Sequence, residues 1–390
     1  MARIGILTFH RSINYGAFMQ SLALSREIAR RHPDCSVEVI DYSSAKMERN
    51  YRVKFDKYCI KHPTLFFERL KRKKVFRRSL RYLPLSKKTM ISDECGEVFD
   101  FIKDNYDVVV VGSDAVWNWI KRGFPNPYIM DFDLPVIRMS YAASAFGMGP
   151  EHVTPERADL FGRALSGYRF ITVRDDYTSE LVKSCAPNVT PYTVCDPTAF
   201  LDLEYVLSLL GHTRESYKDY IYKKYRIPTD KRLICAMGSS RAIIGRIKKK
   251  YRATHRVISV FSNTGEEDYN AYDLDPLEWS LLFSLCDLTV TNFFHGTMLS
   301  LRNNTPALII DHTAFGASYK GKLQDVCERT DLSDCFFKLA EARENGWNDV
   351  FARACDIIDN NSAYRERVAK GMTALAQTSE VFFDALKESL

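Results

Sequence analysis

Asp107–Asp114 reads DVVVVGSD. Four consecutive valines leave no polar alternation, so this strand is predicted to be covered on both faces, the condition of a central strand in a parallel sheet. Gly112 lets the backbone leave a crowded strand end, and Ser113 and Asp114 supply short polar groups there. Upstream, RIGILTF (3–9) is strand-like, AFMQSLALSREIARRH (17–32) has a helical period and SVEVIDY (36–42) is again a strand, which together open a β-α-β unit. Downstream, VIRMSYAA (136–143), RFITVR (169–174) and YTVCD (192–196) continue the strands, with DYTSELVKSC (176–185) helical between the last two.

A polar, Tyr- and Lys-rich passage near 203–230 carries no strand signal and marks the expected connection. A second alternating series follows: RLICAMG (232–238), RAIIGRIKKKYRA (241–253), HRVISVF (255–261), PLEWSLLFSLC (276–286), DLTVTN (287–292), HGTMLSLRNN (295–304) and PALIID (306–311). The predicted fold is α/β, with two Rossmann-like domains facing across a cleft. We place them at 1–205, with a basic helical insert at about 46–90, and at 206–365; a C-terminal helix, 366–390, is expected to pack back on the first domain.

The chain has 390 residues, 46% hydrophobic and 27% charged, which suits globular domains and excludes a disordered or fibrous chain. Its ten cysteines form no C-x-x-C pair or zinc-type cluster, so free thiols in a reducing cytoplasm are expected. The N-terminal sequence lacks the features of a signal peptide, and no window approaches the roughly 20 apolar residues of a membrane span. A soluble or peripheral protein is expected. The net charge of +6 comes from one segment: Arg69–Lys88 holds ten basic residues and no acidic ones, and the rest of the chain is net acidic.

Strand-end loops are where open α/β domains bind ligands. Asn14 and Gly16 follow the first strand, where a helix starts and presents free N–H groups. Asp114 follows the central strand, with Trp117 and Trp119 as rings able to stack on sugars; Asp114 could equally cap a helix, and the tryptophans could be core. Arg174 stands where a strand meets a helix and could grip a phosphate or carboxylate, or pair with Asp175 or Asp176. In TNFFHGTMLSL (291–301), His295 and Gly296 lie at a helix start; an anion site there competes with a buried, hydrogen-bonded histidine. Glycine at such a start permits close ligand approach. Lys320 and Lys322 follow the strand ALIID and suit a phosphate.

The ordered stretches TFHRSINYGAFMQSLAL (8–24), VVVVGSDAVWNW (108–119), SYAASAFG (140–147), FITVRDDYTSELV (170–182), VCDPTAFL (194–201) and TNFFHGTMLSL resemble the polysaccharide pyruvyl transferase family. The resemblance runs from about residue 3 to 335. Ala115 stands where the family commonly has Gln, and Lys320-Gly321-Lys322 replace its usual Ser-Arg pair. The resemblance implies a GT-B-like pair of domains, phosphoenolpyruvate as co-substrate, and a sugar hydroxyl pair as acceptor; no metal cluster appears in the sequence and the chemistry demands no metal, so neither metal nor cofactor is expected. Phosphoenolpyruvate is a small, highly anionic enol phosphate, so its site needs cations and helix-end N–H groups. Arg174, His295, Gly296, Lys320 and Lys322 meet that demand. His295 is the candidate general acid, or a phosphate ligand; Arg174 and Asp114 complete the catalytic set, Asp114 as a base. Asn14, Tyr15, Asp114 and Trp117 are the expected acceptor contacts.

Within Arg69–Lys88 and just before it, Phe66, Leu70, Phe76, Leu80 and Leu83 recur at roughly helical spacing. An amphipathic basic helix suits an anionic membrane surface, where a lipid-linked sugar would be displayed on the inner face of the cell membrane; a helix packed on its own domain is the competing reading. Nucleic acid is not expected, because no binding motif accompanies the charge. Two other functions remain open: a GT-B-type glycosyltransferase using a nucleotide sugar, and a non-catalytic glycan- or anion-binding homologue.

Overall fold

The computed structural model describes residues 1–51, 63–130, 134–148, 150–261, 264–312 and 320–390. Cys59 and positions 52–62 of the expected insert lie outside the described residues. The chain divides into two compact units: Met1–His62, Phe76–Leu201 and Ala376–Leu390 form one, and Pro63–Val75 with Asp202–Leu375 form the other.

The first unit contains β1 (Arg3–Leu7), β2 (Ser36–Val39), β3 (Tyr42–Ser43), β4 (Met90–Ile91), β5 (Val108–Val111), β6 (Ile137–Ala143), β7 (Phe170–Val173) and β8 (Tyr192–Thr193). Its main sheet has the order β2-β1-β5-β6-β7-β8, with every pairing parallel. All four valines of β5 are fully buried, as central placement demands. The run SVEVIDY is interrupted: β2 pairs with β1, whereas β3 leaves to pair with β4. Helix Tyr15–Arg31 is started by Asn14, whose side chain accepts from Gly16 and Ala17 N–H. The terminal helix Glu380–Ser389 buries Phe382, Phe383 and Leu386 in a core shared with Ile4, Leu24 and Tyr141. Glu380 pairs with Arg31 at 2.7 Å, and that guanidinium lies over the Phe383 ring.

The second unit contains β9 (Arg232–Met237), β10 (His255–Ser259), β11 (Tyr269–Asn270), β12 (Cys286–Thr291), β13 (Ala307–Asp311) and β14 (Phe336–Lys338), in the all-parallel order β11-β10-β9-β12-β13-β14. Both units are therefore Rossmann-like, and the α/β fold class read from the sequence is correct.

The basic segment needs correction. Helix Pro63–Ser79 does not lie wholly with the first unit: residues 63–75 group with the second, where Lys71 pairs with Asp273 at 3.2 Å and Arg72 lies over Phe261. Its apolar residues do not share one outward face either. Phe76 and Leu83 are buried in the first unit, Phe76 against Tyr15 and Phe18, whereas Phe67 and Leu70 are exposed. The chain also changes unit inside helix Asn361–Gln377, at Leu375–Ala376, later than the expected start of the C-terminal element. None of the nine described cysteines is in a disulfide. Among the described residues no helix is long and apolar enough to cross a membrane.

Candidate functional site

In the first sheet, β2 lies on one side of β1 and β5 on the other. The carboxyl ends of β1 and β5 thus flank a topological switch point. The register sets Leu7 opposite Val111, and Gly112 N–H donates to the Leu7 carbonyl at 3.1 Å. His10 and Asp114 each follow their strand by the same interval. Gly112 has φ +124°, and a Cβ there would stand 2.1 Å from the Tyr141 carbonyl oxygen, so only glycine fits. Asp114 is itself left-handed, at φ 71°, and its carboxylate accepts from Ala115 N–H at 2.8 Å.

Arg174 follows β7 and is buried rather than open to a ligand, with Nη1 3.3 Å from Asp196 and Nη2 3.5 Å from Asp114. Burial opposes its charge, but Asp114, Asp196 and Asp175 outweigh that and hold its pKa above the ordinary value. Expected at the donor, Arg174 has its fork engaged by carboxylates of its own unit. Asp114, with 18% of its side chain exposed, is the accessible member of that group. Asp196 accepts from Gln20 Nε2, from Thr198 N–H at 3.0 Å and from the Thr198 hydroxyl at 2.6 Å.

Two further expectations fail on burial. Trp117 is fully buried, its ring edge-on to Phe161 and its Nε1–H donating to the Tyr128 carbonyl, so it has no face for a sugar. Tyr15 is also buried, with its ring stacked on Phe76. Asn14 is exposed, but its side chain serves as helix cap. Sequence reasoning assigned no role to His10, Arg11, Asp41, Gln20 or Asp196. His10 is fully buried, with Nε2 2.8 Å from Asp41, which also receives Arg11 at 2.5 and 2.7 Å and Thr89 at 2.5 Å. Burial alone would raise the Asp41 pKa; the bonds from Arg11, His10 and Thr89 overcome that and lower it far below the carboxylate range.

In the second sheet, β10 and β12 lie on opposite sides of β9, so the switch point falls at the ends of β9 and β12. Helix Phe294–Arg302 starts there, and its Ncap, Phe293, has no side-chain bond to the first turn. The helix N–H groups before Thr297, whose own N–H donates to the Phe293 carbonyl, present positive dipole ends. His295 is half-buried in this first turn, edge-on to Phe294, and Lys322 Nζ lies 5.2 Å from the Phe294 ring centroid. The structure thus brings together His295, Gly296 and Lys322. Lys320 instead pairs with Glu328 at 2.5 Å.

Gly296 is needed for a reason other than ligand approach: a Cβ would stand 2.8 Å from Met237 Sδ and 2.9 Å from Thr291 Oγ1. It lets the helix start press onto β9 and β12. Beside it, Gly238 (φ +72°) leaves room for the Asn292 side chain, whose Oδ1 would lie 2.0 Å from a Cβ. Asn292 Nδ2 meets His312 Nδ1 at 2.9 Å. Burial and the Arg343 charge keep the His312 pKa below the ordinary imidazole value, which favours the neutral, accepting ring. Asn292 Oδ1 and Ser239 Oγ are buried with no hydrogen-bond partner among the described residues. These groups were unassigned from the sequence, where Asn292 reads only as a strand end.

Among solved structures, the whole chain superposes on UDP-GlcNAc 2-epimerase from Neisseria meningitidis, bound to UDP-GlcNAc, with a TM-score of 0.59 over 100% of both chains at 10% identity. The S. aureus MnaA–UDP co-structure gives 0.51, covering 100% of this chain and 96% of that one, also at 10% identity. At such identity the likeness shows the fold alone, which is of the GT-B type. No curated protein sequence matches the chain. The family model for polysaccharide pyruvyl transferase spans residues 14–313, from the cap of the first helix through Asp114, Arg174 and the switch-point residues of the second sheet, and the chain belongs to that family.

Proposed function

We propose that the protein transfers the enolpyruvyl group of phosphoenolpyruvate to two hydroxyls of one sugar in a polysaccharide precursor, forming a pyruvate ketal and releasing phosphate. The observation that carries this reading, beside the family, is the second unit's switch point: an uncapped helix start bearing His295, with Lys322 beside it and Asn292 and Ser239 adjoining. Helix-end N–H groups and a lysine suit the phosphate and carboxylate of so small an anion.

The reaction begins when a proton reaches the methylene carbon and the π pair forms the new C–H bond, leaving C2 electrophilic. His295 is the group we assign to deliver that proton; holding the phosphate is its other available role. One sugar hydroxyl adds to C2 and gives up its proton, the C2–O bond to phosphate breaks, and the second hydroxyl adds. Of the two hydroxyl protons, one balances the new methyl group and the other departs with phosphate. Asp114, 3.5 Å from Arg174 Nη2, is the base we assign to the attacking hydroxyl.

The acceptor we infer is lipid-linked, and the exposed Phe67 and Leu70 among the lysines and arginines of helix Pro63–Ser79 support docking at an anionic membrane surface. Incubation with phosphoenolpyruvate and lipid-linked glycans tests the reading: phosphate should appear only when both are present. Turnover of a nucleotide sugar with no phosphate from phosphoenolpyruvate would transfer the assignment to glycosyl transfer.

A further inference from the structure

Asp196 lies in the VCDP stretch after β8 and has no place in the chemistry above. It is fully buried, yet four donors reach its carboxylate: Gln20 Nε2, Thr198 N–H, the Thr198 hydroxyl and Arg174 Nη1. Each of those bonds favours the charged form of the carboxylate. Asp175, the cap of helix Asp176–Cys185, is a second buried carboxylate near the same guanidinium; it accepts from the Ser144 hydroxyl at 2.5 Å and from Thr178 N–H and hydroxyl at 2.9 and 2.6 Å. Tyr141, fully buried, adds its hydroxyl to the neighbouring Cys195 carbonyl. Among the described residues the cation facing Asp114 is Arg174, on which Asp196 and Asp175 already draw.

Alone, Arg174 would hold the nearby Asp114 carboxylate in its charged form so strongly that it would be a poor proton acceptor. With its charge offset by Asp196, it can fix the orientation of Asp114 without removing its basicity. We propose that Asp196, secured by Gln20, is a positioning residue that offsets the Arg174 charge and so keeps Asp114 able to accept a hydroxyl proton. The assignment of Asp114 as base rests on the pyruvyl-transfer reading; the electrostatic relation does not.

The two are separated by one pair of measurements on Asp196→Asn and on the double variant Gln20→Glu/Asp196→Asn. The double variant returns a buried carboxylate to the cluster and lets the amide introduced at position 196 donate to it, so it serves as the rescue should the single variant misfold. A carbon-13 titration of the Asp114 carboxyl, assigned with Asp114→Asn, needs no substrate. Asp196→Asn should move the Asp114 titration to lower pH by about one pH unit, as expected for a cation freed from a competing anion. The double variant should return it toward the wild-type position. Where phosphate release is measurable, its acid limb should move in the same direction, with kcat falling more than KM rises. An unmoved Asp114 titration in folded Asp196→Asn protein, or a double variant that folds without restoring it, overturns the proposal. A moved titration in a protein that releases no phosphate with any acceptor keeps the positioning and rejects pyruvyl transfer.

Discussion

At the scale of single residues, His295 and Gly296 are neighbours with separate tasks. His295 is the group proposed to move the proton, and Gly296 seats the helix that carries it. His295→Ala should lower phosphate release from phosphoenolpyruvate by about 10²-fold or more if the imidazole moves the proton. His295→Gln, which keeps a donor but cannot relay a proton, separates the two roles: near-wild-type turnover in that variant would leave His295 as a phosphate ligand only. Gly296→Ala puts a methyl group 2.8 Å from Met237 Sδ and should cost about 1–3 kcal/mol of stability in a urea melt. An unchanged midpoint would show that the helix start can shift without loss. The pair was legible in the sequence as a strand-to-helix junction, but the reason for the glycine was not, because Met237 lies on a different strand.

At the scale of elements, the break between β2 and β3 changed what the first half of the chain presents. SVEVIDY reads as one strand by residue type, yet Asp41 within it carries three side-chain partners from two other segments, His10, Arg11 and Thr89, and the chain turns away to pair with β4. Because its pKa is lower folded than unfolded, Asp41 adds stability that is complete above the unfolded carboxylate value of about 3.9 and is lost as pH falls toward its folded value. The urea midpoint should therefore drop below about pH 4, and Asp41→Asn should be less stable at pH 7 and lose part of that acid slope. An identical slope in the variant would mean that other carboxylates carry it. Central strands were readable because buried valines and isoleucines leave no alternation; β11 and β14 were not, since edge strands of two or three residues give no period. The buried carboxylates Asp41 and Asp196 were equally invisible, because their partners lie far along the chain. Trp117 and Tyr15 fell to the opposite error: an aromatic near a polar loop looks like a ligand contact, and only packing reveals that Phe161 and Phe76 have taken the ring.

At the scale of the whole molecule, two six-stranded parallel sheets each place polar loops at a switch point, and the ordered motifs that carry the family resemblance fall on those loops or against them. The basic helix belongs to this scale as well. Flotation with vesicles containing anionic lipid should carry the protein upward at low salt, and Phe67→Ser/Leu70→Ser should weaken that; no flotation at any anionic lipid content would remove the membrane from the account of where the acceptor is met. The chemistry itself is tested most directly by supplying phosphoenolpyruvate labelled with carbon-13 at C2 together with a lipid-linked glycan, and examining the glycan by mass spectrometry and carbon NMR. Pyruvyl transfer predicts a label on the glycan in a ketal carbon bonded to two sugar oxygens, with one phosphate released per label. Labelled phosphoenolpyruvate recovered intact, across galactose-, mannose- and hexosamine-terminated acceptors and with folded protein, would contradict it.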